Sequence, residues 1–423
     1  MVFSSPPPYP STTGSFFEPQ RNRGPWENLT SGLERAYQLF LDVTQVYFAT
    51  TFIGGGGPHS PPPYFLAGHN GGELRLFALD EVVRNPSSRG ADVFPVLTIK
   101  AHNGPVYNLA KVELEDDVLV LSCGYDGAVC GWSWNEIHAA VRAGNSGAEI
   151  PQVRPRFRVR VPKLDKSEGE TGVNAIGVDG RNKKFFAGDW CGYWHMWGLD
   201  EISTSPEMSI QSHSAMILDV KFCARNALLA TSSEDGTACI WDCRHSSRLS
   251  AFDPAKGCRL PMDRSQRSQG SYPFAPCVAF DPDSNWLMCG SSKKSVCLWN
   301  IRADMAVQQI QTEAVPHAIA AHGNDLYVVG EEPYLNRYNF QGQQVSRSRV
   351  IPEVAYSIEV NPNTQIALLS GTESSIQVVS PEGMSLGKVT SRKMQDSAGE
   401  GEFPSVITIS DSDDDVHSIG DGW

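Results

Sequence analysis

The chain has 423 residues, more than one compact core of ordinary shape holds, so either two domains or one extended repeat array is expected. Its 20% charged and 40% hydrophobic residues, with 38 glycines and 28 prolines, are typical of a turn-rich protein rather than a helical bundle. The net charge of -13 argues against a protein that binds nucleic acid non-specifically over its surface. No apolar run reaches the roughly 18 residues that a membrane span needs. The N-terminus lacks the basic and apolar regions of a secretory signal, so an intracellular protein is expected.

The first predicted region is a Pro- and Ser-rich arm over residues 1–30, which we expect to be disordered. Residues 31–390 are predicted to form the folded body. Residues 391–423 form an acidic tail that is also expected to be disordered, since it contains eight acids and no Lys or Arg from residue 394 onward. Three insertions in the body are expected at the surface, the second of them as a short helix, at 54–63, 135–144 and 256–273.

A repeat unit is clearest in residues 212–242, where three short strand-like runs are followed by a terminal Trp-Asp pair. The pattern resembles a WD40 repeat, in which a His, a Ser, an Asp and a Trp form a buried hydrogen-bonded tetrad. The matching residues are His213, Ser233, Asp235 and Trp241. Such an Asp orients the His and ties the loop that enters a blade to the blade's central strands.

A second copy of this frame contains His102, Asp126 and Trp132, with the same six-residue step from Asp to Trp. Five weaker copies are present, and the seven third strands are predicted to close at Phe77, Trp132, Trp197, Trp241, Trp299, Tyr338 and Val379. These positions predict an all-β, seven-bladed WD40 β-propeller, with a mean repeat of about 50 residues because of the insertions. We expect a strand from one terminus to complete a blade begun at the other.

The sequence contains no nucleophile elbow, P-loop, HExxH or paired-carboxylate motif, so no catalytic residue is assigned and no enzyme is predicted. The ten cysteines include no CxxC pair. Neither a metal ion nor another cofactor is therefore expected.

The run RPRFRVRVPK places a row of guanidiniums on one face of a predicted strand, because side chains alternate with period two. The row consists of Arg154, Arg156, Arg158 and Arg160. It suits contact with an acidic partner or with RNA phosphates. It is equally typical of an exposed outer strand whose charges prevent edge-to-edge pairing.

Arg244 follows Asp242 by two residues and completes a WDCR box. This box resembles the WDxR motif of propellers that act as substrate receptors of cullin-RING ubiquitin ligases, in which the Asp and the Arg contact the ligase adaptor. Arg at this place is also common in ordinary WD repeats. Asp242 and Arg244 are therefore an alternative site, for a ligase adaptor.

The tail joins a short β-prone run to a cluster of acids. This arrangement resembles a SUMO-interacting motif, in which the run adds a strand to the modifier's sheet and the acids meet its basic rim. The residues concerned are Val406, Ile407, Ile409, Asp411, Asp413 and Asp414. A solvated acidic tail is the alternative interpretation.

Several stretches resemble the THO complex subunit 6 family, above all AHNGPVYNL leading into LSCGYDGAVCGWSWNEI, then SEDGTACIWDCR, and DSNWLMCGSSKKSVCLWNIR. The likeness covers roughly residues 35–385. It implies a non-catalytic scaffold in a nuclear THO/TREX-type complex that couples transcription to mRNA processing and export. Its partners would be the other THO subunits, with RNA contacted only indirectly and no membrane contact. The alternative function is that of a substrate receptor in a cullin-RING ubiquitin ligase.

Overall fold

Short apolar runs separated by tight turns pair along the chain into seven antiparallel sheets in the computed structural model. The structure describes residues 46–54, 63–84, 93–146, 151–163, 171–260, 273–372 and 375–390. Six sheets have four strands and one has five, and each is formed by strands that follow one another in sequence. The described residues all belong to one unit of the chain.

The first three sheets are blades 1 to 3. Blade 1 consists of β1 (Tyr47–Ile53), β2 (Tyr64–His69), β3 (Glu73–Ala78) and β4 (Leu97–Lys100), with helix α1 (Leu79–Arg84) after β3. Blade 2 consists of β5 (Val106–Glu113), β6 (Val118–Gly124), β7 (Ala128–Ser133) and β8 (Phe157–Arg160), with helix α2 (Trp134–Asn145) after β7. Blade 3 consists of β9 (Val173–Asp179), β10 (Lys184–Asp189), β11 (Tyr193–Gly198) and β12 (Met208–Gln211).

The remaining sheets are blades 4 to 7. Blade 4 has five strands, β13 (Ile217–Cys223), β14 (Leu228–Ser233), β15 (Ala238–Asp242), β16 (Ser247–Asp253) and β17 (Cys258–Arg259). Blade 5 consists of β18 (Val278–Phe280), β19 (Trp286–Ser291), β20 (Ser295–Asn300) and β21 (Met305–Gln311). Blade 6 consists of β22 (Pro316–His322), β23 (Asp325–Gly330), β24 (Glu332–Asn339) and β25 (Gln344–Arg349). Blade 7 consists of β26 (Ala355–Val360), β27 (Ala367–Gly371), β28 (Ser375–Val379) and β29 (Ser385–Thr390).

The first strand of each blade is its inner strand. It contacts the inner strands of both neighbouring blades, so the seven sheets form a closed ring around a central channel. The seven residues predicted to close the third strands all lie in third strands, namely β3, β7, β11, β15, β20, β24 and β28. The prediction of an all-β, seven-bladed WD40 propeller is confirmed.

The hydrophobic core is divided among seven clusters, each of which lies between two neighbouring blades. Trp299 of β20, for example, stacks on Phe252 of β16 with the ring centroids 4.1 Å apart. Full burial of one such Phe side chain contributes about 1.5–3 kcal/mol. Each blade therefore depends on its neighbours for the burial of its apolar faces.

The ring closes differently from the prediction. Among the described residues, blades 1 and 7 share no strand, because each is a complete sheet of four consecutive strands. Their junction is an apolar cluster in which Phe52 and Phe65 of blade 1 pack with Leu368 and Ile376 of blade 7. Side-chain packing, rather than an exchanged strand, completes the described ring.

Glu359 of β26 adds polar contacts at this junction. Its carboxylate accepts a hydrogen bond from the backbone N–H of Phe52 at 3.0 Å and lies 3.4 Å from Nζ of Lys111 in β5. Lys111 also donates to the carbonyl of Phe52 at 2.9 Å. Burial raises the pKa of Glu359, and the charge of Lys111 partly opposes that rise. Blades 7, 1 and 2 are thus joined at the inner ring.

The insertions lie between strands, as the sequence indicates. The second is helix α2, whose N-terminus is capped by Ser133, with Oγ accepting from the N–H of Glu136 at 3.3 Å. The third is not wholly a loop, since it contains β17, which pairs with β16. The N-terminal arm and the acidic tail lie outside the described residues. Within the described part, neither helix is long and apolar enough to cross a membrane.

Candidate protein-interaction surface

The predicted His, Asp and Trp of blade 2 meet inside the blade. Nδ1 of His102 lies 2.9 Å from Oδ1 of Asp126, and its Nε2 lies 2.8 Å from Oγ of Ser122. The indole N–H of Trp132 donates to the same Ser122 oxygen at 2.9 Å. The four side chains are buried, and they form one continuous chain of hydrogen bonds.

Arg158 of β8 extends this network to the outer edge of the blade. Its Nη2 donates to Oδ2 of Asp126 at 2.6 Å, while the backbone N–H of Asn103 donates to the same oxygen at 3.1 Å. Burial alone would raise the pKa of Asp126, but the hydrogen bond from His102 and the charge of Arg158 lower it to about 2. Asp126 therefore stays ionised inside the blade, with both oxygens satisfied.

Blade 4 contains a related network, with one correction to the sequence prediction. His213 Nδ1 lies 3.2 Å from Oδ2 of Asp235, and its Nε2 lies 2.8 Å from Oγ1 of Thr231. The prediction of Ser233 as the hydroxyl partner of His213 is therefore wrong, because that partner lies two residues earlier, at Thr231. Ser233 instead donates to the carbonyl of Ala215 and accepts from the N–H of Asp235. Burial alone would raise the pKa of Asp235, but His213 and nearby donors hold it well below its ordinary value.

Trp241 does not complete this second network. Its indole N–H is buried with no hydrogen-bond partner in the described structure. The ring instead packs edge-on against Trp194 of blade 3, with the centroids 5.7 Å apart. Trp241 thus contributes to blade 4 as a core side chain.

Asp242 and Arg244 of the WDCR box bind each other. Nε and Nη2 of Arg244 donate to the two oxygens of Asp242 at 3.0 and 2.8 Å, and the backbone N–H of Arg244 donates at 2.9 Å. These bonds hold the pKa of Asp242 well below its ordinary value. The side chain of Asp242 is only 8% exposed, whereas that of Arg244 is 62% exposed. Only Arg244 offers substantial surface to a partner.

The four arginines of the predicted row lie on and just before the outer strand of blade 2, and all are exposed residues. Two are committed within the blade, because Arg156 forms a 2.7 Å ion pair with Asp117 and Arg158 binds the tetrad. Arg154 donates to the side chain of Gln152. Within the described ranges, neither Arg154 nor Arg160 pairs with a carboxylate. The row therefore presents two unpaired charges rather than four.

Comparison with known proteins agrees with this geometry. The family model described as "WD domain, G-beta repeat" matches residues 94–133, 204–242 and 275–300. THO complex subunit 6 of Arabidopsis thaliana is 28% identical over 340 residues, which cover 77% of this chain and 87% of that protein. The Danio rerio homolog is 23% identical over 316 residues, covering 74% and 89%. Human THO complex subunit 6 is 23% identical over 287 residues, covering 67% and 75%.

The chain is a WD40-repeat protein that resembles THO complex subunit 6. Two of the matched repeats span the strands that carry the His–Asp networks of blades 2 and 4. Each of these two matches begins before the inner strand of its blade. It therefore includes the segment that carries the His.

Some polar residues of the WD40 blades escaped the sequence prediction. Ser122 and Thr231 both lie four residues before the tetrad Asp and opposite a Cys of the third strand, a spacing that could have identified them. In blade 3, His195 lies within the third strand and still reaches Asp189, 3.2 Å away. Its altered position in sequence hid it from the repeat pattern.

The propeller's other reactive side chains are dispersed. All ten cysteines are free thiols, and seven of them are buried. The described residues contain no group of three or more His, Cys, Asp or Glu side chains placed to hold a metal ion. The residues of the predicted SUMO-interacting motif lie outside the described part of the chain.

Proposed function

We propose that this WD40 propeller is a non-catalytic scaffold subunit of a nuclear THO-type complex that supports mRNA processing and export. The observation that carries the proposal is the extent of the likeness, since the Arabidopsis relative aligns over 340 residues and 87% of its own length. A likeness of single repeats would cover only one or two blades. The arm and the tail are not needed to account for it.

The geometry of the His–Asp networks in blades 2 and 4 supports a non-catalytic role. The side chains of His102 and His213, the residues that would serve as general bases, are fully buried. Each is fixed by an Asp on one ring nitrogen and a hydroxyl on the other. A general base must reach a substrate proton within about 3 Å, so these histidines serve the fold instead.

We infer that the outer edge of blade 2 contacts an acidic surface of another subunit, through Arg154 and Arg160. Both lie at an exposed edge, and neither is neutralised by a carboxylate in the described structure. Purification of the tagged chain from nuclear extract, followed by identification of stable partners, tests the assignment to a THO-type complex. Recovery of the other THO subunits supports it, and their absence contradicts it.

The ubiquitin-ligase receptor is the second candidate, favoured by the exposure of one side chain. Arg244 projects from blade 4 in an orientation fixed by Asp242, and it remains 62% exposed. A guanidinium held in this way is suited to bind an adaptor carboxylate or carbonyl. Binding of a cullin-RING adaptor to the purified chain tests this candidate. The SUMO-interacting segment of the tail stays a prediction from sequence.

A further inference from the structure

The inner strands share an irregularity at the mouth of the channel where they begin. In six of the seven blades the pairing of the inner strand with its neighbour shifts at the second residue of the strand. Such a β-bulge leaves one residue out of the ladder and re-aims its side chain. The bulged residues are Phe48, Tyr107, Asn174, Leu218, His317 and Tyr356.

Aromatic bulge residues from successive blades contact one another. The ring of Tyr356 in blade 7 lies 5.5 Å from His317 of blade 6 and 5.4 Å from Phe48 of blade 1. Phe48 lies 5.4 Å from Tyr107 of blade 2, which in turn lies 6.4 Å from Trp190 of blade 3. We call these five residues the aromatic arc.

The aromatic arc remains accessible. Its five residues are partly exposed rather than core residues, although the side chain of His317 is only 9% exposed. Tyr125, which extends the arc beyond Trp190, is 45% exposed. A contiguous, partly exposed aromatic surface of this kind is a candidate interaction site.

Carboxylates flank the arc on blades 6 and 7. Oε1 of Glu331 lies 3.6 Å from Nε2 of His317, and the side chain of Glu331 is 47% exposed. Glu353, also exposed, lies two residues before β26, the strand that carries Tyr356. The exposed bases at this end lie on turns and outer strands rather than on the bulges, among them Lys293 and Lys294 in the β19–β20 turn, Arg160 on β8 and Arg349 on β25. The arc thus joins negative charge to aromatic faces.

This combination favours a cation over an anion. A nucleic-acid strand stacks on aromatic rings only where a basic groove follows its phosphates, and Glu331 and Glu353 would repel them. A guanidinium stacks on aromatic faces and pairs with carboxylates in the same plane. An ammonium lacks the planar group that stacks, so arginine fits better than lysine.

We propose that the aromatic arc binds a peptide segment of a partner protein by stacking an arginine side chain against Tyr356, with Glu331 as counter-charge. This inference goes beyond the proposed function, because it concerns a peptide and requires no other subunit of a THO-type complex. The arc lies at the channel mouth, whereas Arg154 and Arg160 lie on the outer edge of blade 2. The two surfaces can therefore be tested separately.

The test uses the full-length protein and a fluorescein-labelled peptide of alternating glycine and arginine, with fluorescence anisotropy as the readout. The matched neutral probe is the same peptide with citrulline in place of arginine. Tyr356→Leu and Glu331→Gln should each weaken binding of the arginine peptide about fivefold, the effect of losing one cation–π or carboxylate contact. Phe94→Leu, which alters an exposed ring outside the arc, should leave binding unchanged.

Three results would overturn the inference. The first is equal binding of the citrulline and arginine peptides. The second is binding of the arginine peptide that Tyr356→Leu leaves unchanged, which is the result expected if the peptide binds the acidic tail instead. The third is an arc that binds an oligouridine strand in preference to the peptide. Failure of the THO assignment would appear instead as absence of THO subunits from the wild-type purification, whatever the peptide does.

Discussion

Arg158 on the outer strand of blade 2 donates to the buried carboxylate of Asp126, 2.6 Å away, and so joins the exposed edge of the blade to its internal tetrad. The side chain of Asp126 is 3% exposed, and Arg158 is the charged donor that faces its Oδ2. A residue predicted from sequence to contact a partner thus stabilises the blade. This pair gives the first prediction.

Arg158→Gln should lower the free energy of unfolding by about 1–3 kcal/mol, because a buried carboxylate loses its charged hydrogen-bond donor. Asp126→Ala should cost more, about 3–5 kcal/mol, since His102 and Arg158 then both lose their acceptor. Arg160→Gln, two residues along the same strand and without a carboxylate partner, should stay within about 0.5 kcal/mol of wild type. Urea unfolding measures all three. Equal costs at Arg158 and Arg160 would contradict the role of Arg158.

His69 gives a prediction for the dependence of stability on pH. Its Nδ1 accepts from the N–H of Gly71 at 3.0 Å, and its Nε2 is buried with no partner in the described structure. Burial, helped by the positive charges of Arg75 and Lys100, lowers the pKa of His69 from 6.5 to about 3. The neutral imidazole is therefore the form that the folded state holds.

Between pH 6.5 and about 3, His69 is protonated in the unfolded chain but not in the folded chain. This group's contribution to stability is thus complete above pH 6.5 and falls as the pH drops, by about 1.4 kcal/mol per pH unit. His69→Gln should remove that part of the slope. The check is urea unfolding of both proteins from pH 7 down to pH 5, where ordinary carboxylates stay ionised. Parallel curves for the two proteins would refute the prediction.

Arg244 separates the ligase hypothesis from a purely structural role. Arg244→Ala should abolish adaptor binding if the box is used, and it should also lower the melting temperature slightly, since Asp242 then keeps only His245 as a side-chain partner. Arg302 offers a matched control, because it lies in the related WNIR sequence of blade 5, which lacks the Asp. Arg302→Ala should change neither quantity. Adaptor binding that survives Arg244→Ala, or that wild type itself lacks, removes the ligase hypothesis.

Charge reversal tests the proposed contact on blade 2. The double variant Arg154→Glu/Arg160→Glu should reduce recovery of the partner complex without lowering the melting temperature, because both side chains are exposed and lack carboxylate partners. The same change in charge at Arg84 and Arg181, on other blades, serves as the control. Quantitative co-purification measures both. Equal recovery of the two double variants would exclude this edge as the contact.

The blade count could be predicted because the third strands end in recurrent aromatic residues such as Trp132 and Trp241, which the core requires at regular intervals. The residue that supplies the hydroxyl of the blade 4 network could not be predicted from its place at the end of a strand. Thr231 and Ser233 point to the same face, and only the strand register decides between them. Neither the role of Arg158 nor the aromatic arc could be predicted. They depend on contacts between residues far apart in sequence and on β-bulges, which leave no periodic signal in the sequence.

The most direct test of the account is purification of the tagged full-length chain from nuclear extract, followed by size-exclusion chromatography. A THO-type scaffold should elute far above its own mass of 46.3 kDa, together with the other THO subunits in constant ratio. That ratio should hold for Phe94→Leu and fall for Arg154→Glu/Arg160→Glu. Elution of the folded wild-type chain alone, or with a cullin-RING adaptor and no THO subunit, would contradict the proposed function.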